Sequence, residues 1–123
     1  MEINVFEERG RVPVTIFKLV GRVNMGNADE LVERANQAYQ DGMRNLILDL
    51  SEVDSMTSAG LRAVLAVKKQ LGSTSGEPVG EAAKSPHLKL LNPSADLRRT
   101  LEVSGFASFL EIYEDKEAAI RSF

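Results

Sequence analysis

The stretch Thr57-Ser58-Ala59-Gly60-Leu61 holds the residues of this chain whose types and spacing most readily do chemistry. Ahead of it runs Leu46-Ile47-Leu48-Asp49-Leu50, nearly continuous in apolar residues, which suits a central strand covered on both faces. Ser51 to Thr57 reads as a polar loop, after which small side chains open a helix. Small residues leave the first-turn amides uncovered, and those donors, with the helix dipole, favour an oxyanion or a phosphate. A plain structural use fits equally well: Thr57 or Ser58 as an N-cap contributes ~1 kcal/mol. At the level of local chemistry both uses stay open.

Little else offers a reactive group. Zero cysteines exclude a disulfide framework, a zinc ribbon and a thiol nucleophile. His87 is the single histidine, so there is no His-pair metal site, and a Ser-His-Asp triad would depend on that one residue. His87 precedes a strand and reads as a partly exposed strand-edge residue. No GxGxxG, GxxxxGK[ST], HExxH or GxSxG pattern occurs, and spacing singles out no pair of carboxylates. The expectation is a chain with no catalytic residue, no cofactor and no metal.

The elements that position Thr57 and Ser58 follow from the apolar pattern. With 123 residues and 43% hydrophobic content the chain makes one domain, burying roughly two-thirds of its unfolded surface. A net charge of -3 argues against a nucleic-acid footprint, which wants a basic face. Glu2, Glu7 and Glu8 near the start, and the lack of any apolar run approaching the ~20 residues of a membrane span, predict a cytoplasmic protein with no leader and no membrane contact. Residues 2–7 and Val12 to Val20 read as a strand pair that Gly21 ends. Leu31, Val32, Ala35, Ala38 and Tyr39 mark a helix with Asn27 as N-cap and Gly42 as its stop. Leu61, Val64, Leu65 and Leu71 mark a second helix closed by Gly72, and Leu88, Leu90 and Leu91 a short strand. Pro93-Ser94 opens a third helix ending at Gly105, Phe109 to Tyr113 gives a last strand, and Asp115 to Arg121 a last helix. The order β-β-α-β-α-β-α-β-α predicts an α/β layer structure. Residues 72–86, rich in Gly, Pro, Ser and Thr, are expected to form a flexible insert. Lys68-Lys69 and Arg98-Arg99 are read as solvated faces, and Met25 and Met56 as flanking the loop surface.

Four features in this order resemble a STAS domain, the fold of bacterial anti-sigma factor antagonists. Gly21-Arg22-Val23-Asn24 is similar to that family's Gly-Glu-Leu-Asp pattern, and Leu46 to Val53 to its strand followed by Asp-Leu-Ser-x-Val. Thr57-Ser58-Ala59-Gly60-Leu61 is similar to its Asp-Ser-Ser-Gly-Leu, and Pro93 to Phe106 to its late helix ending in a Gly-Phe step. The resemblance covers nearly all of residues 1–123 outside the insert. It implies a single STAS domain, a mixed sheet of about five strands with about four helices packed on it.

The resemblance also implies a function and a site. In the family the serine aligned with Ser58 accepts phosphate from a partner that is both a serine kinase and an anti-sigma factor. Unmodified antagonist binds that factor, phosphorylated antagonist lets go, and a serine phosphatase resets it. Ser58 is the implied acceptor, with Thr57 as the alternative. Asn24, Met25, Asp54, Met56, Thr57, Ser58, Ala59, Gly60 and Arg62 are the implied partner-binding residues. This chain departs from the pattern at three acids, carrying Arg22, Asn24 and Thr57 in their places. The departures motivate a second reading, a constitutive interaction module of a transporter or signalling complex. A nucleotide or small-ligand domain using the helix start ranks third, for want of a glycine-rich cradle.

Overall fold

Apolar runs of period two and period three to four resolve into a five-stranded sheet with helices on both faces. The computed structural model describes residues 1–72 and 84–123. Its elements are β1 (Glu2–Arg9), β2 (Pro13–Val23), α1 (Ala28–Gln40), β3 (Leu46–Met56), α2 (Ser58–Gly72), β4 (Leu88–Leu91), α3 (Ala95–Val103), a 3-10 turn (Phe106–Ser108), β5 (Glu111–Tyr113) and α4 (Lys116–Arg121). The strands lie in the order β1-β2-β3-β4-β5. β1 pairs antiparallel with β2, and the remaining three pairs are parallel. Parallel neighbours need crossovers, and α1, α2 and α3 supply them.

The expected α/β order, mixed sheet and helix number are therefore present. Phe17, Leu19, Leu48 and Leu50 face a core closed by Leu31 and Ala35 of α1, Val64 and Val67 of α2 and Leu101 of α3. On the reverse face Val14, Ile16, Ile47 and Leu91 meet Ala119 and Ile120 of α4. This two-sided cover explains why β3 begins as an unbroken apolar run. Gly42 stops α1 at φ +110. Its amide donates to the Tyr39 carbonyl and the Met43 amide to that of Ala38, the paired bonds of a Schellman cap. Ser94 caps α3 through the Leu97 amide, and Asp115 caps α4 through that of Ala118.

Several boundaries differ from the sequence reading. Gly21 does not end β2, and Ser51 to Met56 is strand rather than loop. The two extensions pair with each other: Val20 with Glu52, Gly21 with Val53, Arg22 with Ser55 and Val23 with Met56. Asp54 is left as an extra residue between Val53 and Ser55, a bulge that Gly21 accommodates at φ +99. Within Ser51 to Met56 only Val53 and Met56 are buried, three residues apart, so the segment shows none of the period-two alternation that marks a strand. β5 is shorter than expected because Phe106 to Ser108 forms the 3-10 turn, where Phe106 and Phe109 meet edge to face at 6.2 Å. Lys68 is buried rather than solvated, its ammonium 5.3 Å above the Phe109 ring. Arg98 is half-buried, paired with Glu102 at 3.3 Å and Glu114 at 3.0 Å.

Of the expected insert, residues 73–83 lie outside the described residues. Gly72 is the last residue of α2, and Ser85 is buried, its Oγ accepting the amides of His87 and Leu88, each at 3.1 Å. Across the reverse face Lys89, only 4% exposed, donates to Glu111 Oε2 at 2.8 Å and the Ser122 carbonyl at 3.1 Å, below the rings of Tyr113 and Phe123.

His87 sits half-buried just before β4. Its Nδ1 lies 2.9 Å from Asn45 Oδ1, and its carbonyl accepts the Leu46 amide. Burial, and then the charge of Lys89, hold the imidazole below its ordinary 6.5. The folded state therefore binds the proton less readily than the unfolded chain. The associated stability is complete above the unfolded value and falls with pH as the folded pKa is approached. Urea melts from about pH 7 down to about pH 5 should show this loss, and His87→Asn should flatten it; an unchanged slope would exclude His87 as its source.

Candidate functional site

The site is built where α2 leaves the C-terminal ends of β2 and β3. The Thr57 amide donates to the Val23 carbonyl at 2.9 Å, tying the residue before the helix to the last residue of β2. The Leu61 amide then closes the first helical turn on the Thr57 carbonyl at 3.0 Å. Gly60 makes this approach possible. A Cβ at that position would lie 2.6 Å from Met56 Cγ, 2.9 Å from Val23 Cγ1 and 3.1 Å from the Val23 carbonyl oxygen. A side chain can give way, but the carbonyl belongs to backbone fixed in the sheet.

Ser58 is thereby held as the first residue of α2, exposed to solvent. Neither its hydroxyl nor that of Thr57 forms a hydrogen bond among the described residues. Thr57 occupies the N-cap position without capping, so the structural use of these hydroxyls is not the one the fold makes. α1, α3 and α4 each carry an acid in the first turn, whereas α2 carries none. The N-terminal end of the α2 dipole is left without an intrahelical counter-charge.

The neighbouring loop, residues 24–27, is a network of short hydrogen bonds. Asn24 Oδ1 accepts the Gly26 amide at 2.9 Å, and the Asn24 carbonyl accepts the amides of Asn27 and Ala28. Asn27 does not cap α1 through its side chain as expected. Instead its Oδ1 accepts the Asn24 amide at 2.9 Å, and its Nδ2 donates to the Arg22 carbonyl at 2.8 Å. An aspartate at position 24 would accept the same turn bond, so asparagine keeps the turn and omits the charge. Met25 at the tip is 83% exposed.

Among the implied binding residues, Met25, Asp54, Thr57, Ser58 and Arg62 are exposed, and Asn24 and Ala59 half-buried. Gly60 is buried as a spacer. Met56 corrects the sequence reading: it is 8% exposed and turns into the core, because β3 runs on to this residue and directs it under Gly60. Val23 is the positioning residue that sequence reasoning missed, since it entered there only as the apolar letter of the Gly21-Arg22-Val23-Asn24 pattern. On β3, Glu52 is taken up by Lys18 at 2.9 Å, and the hydrogen bond and charge of Glu52 raise the Lys18 pKa. Among the described residues no group of acids and histidine gathers as a metal site. A groove of about 870 Å³, lined in part by Val5, Arg34, Asp41 and Asn45, lies at the opposite end of the sheet.

Gly60→Ala should lower stability by about 1–3 kcal/mol, through overpacking against the Val23 backbone. Denaturant midpoints measure the effect, and a midpoint equal to wild type would show that the approach does not depend on glycine.

Comparison with known proteins bears on this geometry. The STAS domain family model matches residues 5–119. BtrV of Bordetella bronchiseptica, a protein named as an anti-sigma factor antagonist, is 38% identical over 105 residues, spanning 85% of this chain and 82% of its own length. An anti-sigma factor antagonist from Mycobacterium paratuberculosis superposes with a TM-score of 0.72 at 20% identity, covering 97% of this chain and 92% of its own. The Bacillus cell fate determinant SpoIIAA, solved in its phosphorylated form, superposes with a TM-score of 0.64 at 20% identity, covering 98% of this chain and all (100%) of its own. The mixed sheet, the crossover helices and the short strand-to-helix step at Thr57 are thus accounted for together: the chain belongs to the STAS domain family.

Proposed function

We propose that the chain is an anti-sigma factor antagonist switched by phosphorylation of Ser58. Unmodified, it binds an anti-sigma factor that is also a serine kinase; phosphorylated, it releases that factor, and a serine phosphatase restores binding. The relatives named as anti-sigma factor antagonists support the general role, that of a regulatory binding protein rather than an enzyme. The observation that carries the finer reading is the Ser58 hydroxyl, exposed and without a hydrogen bond among the described residues, at the start of an anchored helix.

The chemistry needs nothing further from this chain. Ser58 Oγ attacks the γ-phosphorus of ATP held by the partner kinase. The Oγ–P bond forms, the bond from phosphorus to the β-γ bridging oxygen breaks, ADP leaves, and the hydroxyl proton passes to a base of the kinase. The product adds about -1.5 to -2 charges at neutral pH. At the start of α2 the dipole favours that charge by ~0.3–1 kcal/mol, so the domain keeps its fold. In a docked interface the same charge must be desolvated, and a penalty of about 2.8 kcal/mol weakens binding a hundredfold. No described helix is long and apolar enough to cross a membrane; the proposed place of action is the cytoplasm.

Incubation with the cognate anti-sigma kinase and ATP should add the mass of one phosphoryl group, read by intact-mass spectrometry. Ser58→Ala should abolish the gain, while Thr57→Ala should keep it. A gain that persists in Ser58→Ala would move the acceptor elsewhere, and no gain in wild type would overturn the phosphorylation switch.

A further inference from the structure

We infer that Arg62 is the internal counter-ion of phosphorylated Ser58, and that modification withdraws this arginine from the partner surface. The inference deepens the proposed switch and rests on it. Ser58 and Arg62 stand at i and i+4 on α2, where side chains lie one above the other with Cβ atoms ~5–6 Å apart. The Cα–Cβ bonds of a helix tilt toward its N-terminus, so that of Arg62 points toward the turn that holds Ser58, within reach of a phosphate there.

Nothing else on the helix competes for the guanidinium. Its other neighbours at three and four residues are Ala59, Leu65 and Ala66, none of which can pair with it. Arg98 on α3 shows the contrast, with Glu102 at i+4 and a 3.3 Å ion pair. Arg62 is exposed and makes no ion pair or hydrogen bond among the described residues. The other charged groups at this end of the sheet, among the described residues, include Glu2 opening β1 beside Val20, Arg22 on β2, Asp54 on β3, Asp29 and Glu30 opening α1, and Asp96 opening α3; Glu52 is held by Lys18. A phosphoserine presents three acceptor oxygens to a planar fork of donors, the geometry that arginine matches with two parallel hydrogen bonds.

The consequence is a double change at the docking surface. In the unmodified chain Arg62 is an available cation beside Ser58 and suits an acidic group on the partner. After phosphorylation it is occupied by the phosphate, so the surface gains an anion and loses a cation in one event.

The test uses the full chain with phosphoserine installed at position 58 by genetic code expansion, so it does not depend on any kinase. Phosphorus NMR titration reads the second phosphate pKa, ordinarily about 6. We expect a value below that in the otherwise unaltered chain, and a rise of ~0.5 unit in Arg62→Gln, as removal of one exposed opposite charge implies. Arg62→Lys should recover part of the shift and Arg22→Gln should leave most of it. Equal titrations for the unaltered chain and Arg62→Gln would overturn the inference, as would an Arg22→Gln shift matching that of Arg62→Gln. If no kinase modifies Ser58, the installed phosphoserine still reports on Arg62, so failure of the switch and failure of the pairing are told apart.

Discussion

The site depends on one close approach: the first turn of α2 against the last residue of β2. Val23 lends its carbonyl to the Thr57 amide at 2.9 Å, and Gly60 lets the helix come within reach of that carbonyl. The contact fixes where the helix starts and leaves Ser58 as its first, exposed residue. The bulged pairing of β2 with β3 exists to the same end. It carries both strands past the region covered by β4, so that Val23 and Met56 arrive side by side beneath the helix.

That construction separates what must be rigid from what must change. The backbone below Ser58 is held by sheet pairing, by a buried methionine and by a glycine with no room for a side chain. The hydroxyl itself makes no hydrogen bond among the described residues. Under the proposed switch, charge added there would be read by a partner rather than by the core. The substitutions Arg22, Asn24 and Thr57 fit this arrangement, because Asn24 keeps its turn bond while negative charge is withdrawn from around Ser58. A phosphoryl group arriving at Ser58, as proposed, would meet fewer carboxylates than the family pattern would place there.

Much of this was legible in the residues. The apolar run of β3, the stripes of α1 and α2, Gly42 as a helix stop and Pro93-Ser94 as a helix start were each readable from local pattern. What failed to show was the strand character of Ser51 to Met56. Its solvent-facing residues are polar, a bulge breaks the period of two, and only pairing with the extension of β2 makes it a strand. Met56 was misplaced for the same reason, and Lys68 because a lysine ammonium over Phe109 has no signature in sequence. The role of Gly60 was visible as a motif letter but not as a distance. That required knowing that Val23, far away in sequence, lies against it.

The central claim is that a charge at Ser58 controls binding without altering the fold. Its most direct measurement is the calorimetric affinity of the anti-sigma factor for the unmodified chain and for the chain carrying phosphoserine at position 58, with amide spectra of both. The account predicts at least a hundredfold weaker binding, about 2.8 kcal/mol, with spectral changes confined to the start of α2 and the loop at residues 24–27. Equal affinities, or a spectrum changed throughout the sheet, would contradict it.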